Sequence, residues 1–181
     1  MVSLVLAPML AARLMLPVSA CATSLPANIA AAVMQSQILD LARRSVSFQQ
    51  QCQRIGRTRV LRVTVQLTTT IDGGARAQTV IHRYDAGGLR AEVSLLFAED
   101  YVELLAHEFE HILEQVDGVV LRDEVDAGRA WRTETGAYET RRAFSAGVRA
   151  RREIDALAAA VSAADAKRAF AAGTPPRTRR P

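Results

Sequence analysis

Five consecutive residues, His107-Glu108-Phe109-Glu110-His111, constrain this chain more than any other part of it. They form the pattern H-E-x-x-H inside the apolar stretch EDYVELLAHEFEHILEQVDG. On an α-helix, His107 and His111 lie one turn apart and about 40° around the axis, at ~100° per residue. Both imidazoles then reach a common point, and Glu108 falls on the same side, set back from it. The stretch reads as a helix on separate grounds. Val102, Leu105, Phe109, Ile112, Leu113 and Val116 recur at helical spacing and mark an apolar face away from the histidines. Glu99 and Asp100 occupy the opening turn, and Gly118 is placed to stop the helix. The pattern fixes only three positions and also arises by chance. Here, though, two of the chain's three histidines stand at its ligand positions. A buried His-Glu-His face without a ligand leaves polar groups unpaired at substantial cost.

A chain of 181 residues, 49% hydrophobic and 23% charged, is long enough for one domain with a proper core. Its formal charge of +4 owes much to Arg177, Arg179 and Arg180 at the very end. The body is near neutral, which argues against a nucleic-acid partner. Residues 174–181 are expected to form a disordered basic tail, and residues 23–173 the folded domain.

Residues 1–22, MVSLVLAPMLAARLMLPVSACA, are apolar and small and read as a secretory signal peptide. The expected location is therefore the periplasm or cell envelope. Val18-Ser19-Ala20-Cys21 resembles the lipobox of bacterial lipoproteins, which implies a lipid anchor through Cys21. Ala20-Cys21-Ala22 equally fits ordinary signal cleavage. Arg13 interrupts the apolar run and no charge precedes it, so a start at Met9 or a plain N-terminal helix stays open. The apolar runs are shorter than the ~18 residues of a membrane span. The only other cysteine is Cys52, which is a lone thiol if Cys21 is lipidated or removed. A half-buried, space-filling role is expected of it.

Between this region and the motif the period changes. Residues 28–44 suit a helix with Asn28 as N-cap, and FQQQCQRIG suits a second short one. Three β-rich runs follow at 60–67, 77–84 and 89–97, separated by glycine turns at Asp72-Gly73-Gly74 and 85–88. Their short links suggest an antiparallel meander. His82, in the second run, is assigned no role. Residues 119–136 read as a loop with a short strand near Trp131, and 137–172 as helix, in one piece or broken near Ser162. The fold class is thus α+β: a small antiparallel sheet of about three strands packed on helices, with a long C-terminal helix.

A catalytic zinc takes three protein ligands and keeps a fourth position for water. The motif supplies two. In the longer pattern H-E-x-x-H-x-x-G-x-x-H, Glu114 would stand at the glycine and Asp117 at the third ligand, so Asp117 is a weak candidate. Glu139 is stronger: it lies 28 positions after His111, at the expected start of the next helix. Ala143, Ala146, Gly147 and Ala150 below it are small enough for the two helices to approach closely. Glu134 is the nearest rival, left in a loop by Gly136.

A strand, a helix bearing HEFEH and a following helix bearing a glutamate together resemble the gluzincin branch of the zincin metallopeptidases, over roughly residues 89–150. The resemblance implies a zinc metalloendopeptidase acting on peptide or protein substrates. His107, His111 and Glu139 would bind Zn2+, and Glu108 would act as general base on a zinc-bound water. It also implies that the strand before the motif helix is the edge along which an extended substrate aligns. Thermolysin-like members carry an acidic residue four positions after the ligand glutamate; here that position is Ala143. Glu114 or Glu110 would then orient the imidazoles, and Tyr138 is the nearest candidate for the oxyanion. The competing expectation is an exported (lipo)protein with a structural or catalytically inactive zinc site, serving as a binding or assembly factor.

Overall fold

The computed structural model describes residues 20–85, 87–96 and 100–171. Most of the expected signal segment, the basic tail and Glu99 lie outside them. The described elements run α1 (Ala20–Thr23), β1 (Ile29–Ala30), α2 (Gln35–Arg44), α3 (Val46–Arg57), β2 (Leu61–Thr68), β3 (Ala77–Arg83), β4 (Leu89–Leu96), α4 (Tyr101–Val116), α5 (Leu121–Asp126), β5 (Ala130–Arg132), β6 (Tyr138–Thr140) and α6 (Arg141–Ala171). The α+β class holds: a small mixed sheet packs on helices, and a long helix closes the chain.

The main sheet has the order β1-β2-β4-β3, with β2 and β4 parallel and β3 antiparallel to β4. This differs from the expected meander. Only the five-residue link between β3 and β4 makes a hairpin. The link from β2 to β3 spans eight residues, enough to step over one strand position, which leaves room for β4 between them. The strand before the motif helix is therefore central, and the sheet edge belongs to β3. Period-two alternation sends Leu61, Val63 and Val65 of β2 and Ala91, Val93 and Leu95 of β4 into the core. Arg62, Gln66 and Arg90 stand on the opposite, solvent-facing side.

The first expected helix begins later than its sequence suggests. Ile29–Ala30 pairs with Val63–Thr64 as a short strand, and Asn28 caps no helix. Its side-chain amide instead donates to the carbonyl of Ile55 at 2.8 Å, and at 3.3 Å to those of Thr58 and Leu61. The α3 helix starts at Ser45, whose hydroxyl accepts from the Phe48 N–H. Phe48 stacks at 5.0 Å on Phe109 of α4, so the motif helix rests on α3 through aromatic contact.

The expected apolar face of α4 is buried: Val102, Leu105, Phe109, Ile112 and Leu113 are all in the core. Gly118 ends the helix with φ +74°, while the Val119 N–H reaches back to the Glu114 carbonyl. Residues 119–136 are more ordered than expected, with the short α5 and the hairpin β5–β6. The α6 helix is one piece, starts at Arg141, and runs through Ser162 without a break. Glu153 fastens it to the start of α3 by accepting from Ser45, Ser47 and the Ser47 N–H.

Small residues set how close α6 comes to α4. Ala143, Gly147 and Ala150 are buried, and a Cβ on Gly147 would lie 2.8 Å from the Glu103 carbonyl oxygen. Gly147→Val must push the helices apart; we expect a loss of about 2 kcal/mol, read by urea or thermal unfolding. A stability equal to the parent protein would show that this contact is slack.

Candidate metal centre

The α4 helix presents His107 and His111 on one side, with their Nε2 atoms 3.0 Å apart. Glu139 comes from the strand β6, two residues before α6, rather than from the first turn of a helix as expected. Its Oε2 lies 2.9 Å from His107 Nε2 and 3.7 Å from His111 Nε2. The three residues form a group that could hold a metal ion, one donor atom from each within 4.8 Å of the others. Tetrahedral zinc with bonds of ~2.0–2.1 Å separates its ligand atoms by ~3.3 Å. The donor set matches that spacing to within a few tenths of an ångström. The rivals are elsewhere: Glu134 is exposed in the turn of the β5–β6 hairpin, and Asp117 caps α4 in ion pairs with Arg54 and Arg142.

Glu114 orients the imidazole of His111. Its Oε2 lies 2.9 Å from His111 Nδ1, which leaves Nε2 to face the other donors. Its Oε1 accepts from the Thr140 hydroxyl at 2.5 Å, and Thr140 in turn accepts from the Ala143 N–H as the N-cap of α6. One buried carboxylate thus joins His111 on α4 to the chain segment next to Glu139. Glu110, the other expected candidate, is occupied by Gln51 and Arg142 and contacts neither histidine. In the sequence, a helical pattern that extends back to residue 137 conceals the capping position of Thr140.

Glu108 is 5% exposed, and its Oε2 accepts from the Thr79 hydroxyl at 2.6 Å. Burial pushes its carboxyl above the usual range, opposed by Thr79 and the nearby histidines. Thr79 sits on the edge strand β3 and carries no sequence signal beyond inward alternation. Burial disfavours charge on His111, yet hydrogen bonds to Glu114 and Glu139 and the surrounding carboxylates push its pKa up to about 10. Burial also works against a charged Glu139, but the two histidines overcome it and lower its pKa to about 2. The carboxylates demand positive charge at this point.

A groove of about 420 Å³ runs beside the group, lined by Ala77, Thr79 and Ile81 of β3, by Glu108 and His111, and by Ala137, Tyr138 and Glu139 of the hairpin. Tyr138 thus borders the groove, with the Arg132 guanidinium over its ring. At one end the Asp72–Gly74 turn meets the hairpin tip. A Cβ on Gly73, at φ +73°, would fall 2.0 Å from Thr135 Cγ2.

Two outcomes follow. Glu114→Gln should weaken divalent-metal affinity ~10–100-fold, measured by competition with a chelating dye, with the secondary structure intact. In the metal-free protein a raised His111 pKa contributes stability that is full below about pH 6.5 and lost as pH rises through about 10. Metal must displace that proton, so binding at pH 7 should release about one proton and strengthen with rising pH. Calorimetry in two buffers of different ionisation heat reads this; identical heats would contradict it. No family model, curated protein or solved structure matches the chain at a significant level, so the functional reading stands on the geometry of His107, His111 and Glu139.

Proposed function

We propose that the protein is a zinc-dependent metalloendopeptidase, with His107, His111 and Glu139 as zinc ligands and Glu108 as general base. The observation that carries this reading is the convergence of three donor atoms on one point, beside a buried carboxylate, at the wall of a groove. Two imidazoles and one carboxylate make a donor set suited to zinc in a catalytic site. Bound there, zinc lowers the pKa of water towards ~7 and polarises a carbonyl oxygen.

The chain's own residues supply the rest. Glu108 takes the proton of the attacking water and passes it to the leaving amine. Its raised pKa suits a group that must both accept and return a proton. Thr79 holds one carboxylate oxygen, which fixes the plane of the other. The outer edge of β3, unpaired among the described residues, offers backbone donors and acceptors to an extended peptide lying in the groove. The resemblance implies this role for residues 89–97; the proposal gives it to residues 77–83, the edge strand among the described residues. Export to the cell envelope is part of the proposal on the strength of the N-terminal run alone.

His111 and Glu139 both border the groove, which favours a site accessible to substrate over a sealed structural one. A zinc-holding binding or assembly factor would bind metal without turnover. Cleavage of an unfolded protein, abolished by a chelator and restored by zinc, separates the two. Glu108→Gln should keep zinc and fold and lower kcat by ~10²–10⁴; full activity in that variant would remove Glu108 as the base. Thr79→Val should lower kcat several-fold at unchanged zinc content, and Thr79→Ser should restore most of it. A Thr79→Val enzyme with the parent's kcat would deny the hydroxyl any part in placing the base.

A further inference from the structure

The groove beside the metal group carries acidic residues without basic ones to balance them. Asp72, Glu108, Glu114 and Glu139 line it, and among the described residues no lysine or arginine does. Three of these four have partners in the fold. Thr79 donates to Glu108, Thr140 and His111 hold Glu114, and the two histidines hold Glu139. Asp72 is different: no hydrogen bond or ion pair from another described residue reaches its carboxylate. Arginines whose neighbours line the groove are committed elsewhere. Arg76 pairs with Asp100, Arg83 donates to Gln115, and Arg132 donates to the Gly136 carbonyl and lies over the Tyr138 ring. We propose that Asp72 makes the groove selective for a substrate that carries a positive charge, from a lysine or arginine side chain or from a free amino terminus. This rests on the peptidase reading, which makes the groove the place where a polypeptide lies.

The turn that bears Asp72 is held in place. Gly73 packs so closely on the hairpin tip that a Cβ there would meet Thr135 Cγ2, so the neighbouring carboxylate stands at a fixed end of the groove. A cleft lined by charge of one sign concentrates its field and attracts a ligand of the other. A divalent ion at the centre does not reverse this, because the four carboxylates outnumber its two charges. An acidic substrate residue at the Asp72 end is repelled, so the groove discriminates against one sign as well as for the other. The contact is made away from the reacting bond, since Thr79, seven residues further along, is the residue that holds Glu108. It is therefore the same before and during the reaction. Its loss raises KM and leaves kcat alone.

The test measures binding and turnover separately. Glu108→Gln protein, the full chain equilibrated with zinc, is titrated by fluorescence anisotropy into dye-labelled decapeptides that differ only in charge. One is acetylated and bears a lysine, one has a free amino terminus and norleucine, one is acetylated with norleucine, and one is acetylated with glutamate. At least one cationic peptide should bind about five-fold tighter than the neutral one, and the glutamate peptide more weakly still. Which cationic peptide wins identifies the source of the charge. High salt should shrink the difference. Asp72→Asn should abolish it, and Asp72→Lys should reverse it in favour of glutamate. Equal affinities for all four peptides, no binding of any, or a preference that survives Asp72→Asn would overturn the proposal. Turnover by the parent enzyme keeps the two ideas apart. Chelator-sensitive cleavage with no charge preference in KM sinks the role of Asp72 and spares the peptidase. Charge-selective binding that Asp72→Asn removes, without any cleavage by the parent, upholds Asp72 and sinks the peptidase.

Discussion

The candidate centre depends on one buried carboxylate. Glu114 is 1% exposed, and an ionised side chain at that depth is tolerable only with its oxygens hydrogen-bonded. One oxygen faces the His111 ring and the other takes the Thr140 hydroxyl. The first contact fixes His111 on α4, and the second fixes the entry to α6, beside Glu139. Without this bridge the close approach of the two helices would bring small side chains together but set no angle between the donors. Gly147 and its alanine neighbours give proximity; Glu114 gives orientation. A polar network on the next stretch of α4 repeats the division of labour, with Arg142 joining Glu110 and Asp117 to the start of α6.

How far the sequence revealed this depends on the range of the forces involved. The motif helix was legible because its apolar positions, its histidine face and its glycine stop are all local and agree with one another. Glu139 was legible as a member of the group through chemistry, since two imidazoles alone make an incomplete donor set. Its position was not, because β5 and β6 are three residues each and too short for periodicity to speak. A strong helical pattern beginning at Arg141 simply absorbed the residues before it.

Strand order was the larger difference. The runs that became β2, β3 and β4 alternate in the same way, so each could face the core from any position in a sheet. What separates them is the length of the connections, five residues against eight, and the preference of β4 for a fully apolar inner row. Among the described residues that puts the sheet edge at β3 rather than β4. Asn28 is a similar case: its amide serves distant carbonyls, which no local capping rule can foresee.

Thr79 gives the edge strand a second property. The residue that grips the Glu108 carboxylate lies on the strand whose outer border is open among the described residues. Under the proposed function, a polypeptide docked there would become an added strand and restrain β3. A 2.6 Å hydrogen bond from Thr79 joins that strand to Glu108. On that reading, occupancy of the cleft would steady the Glu108 carboxylate, and a short ligand that fails to grip β3 would leave it looser than a long one.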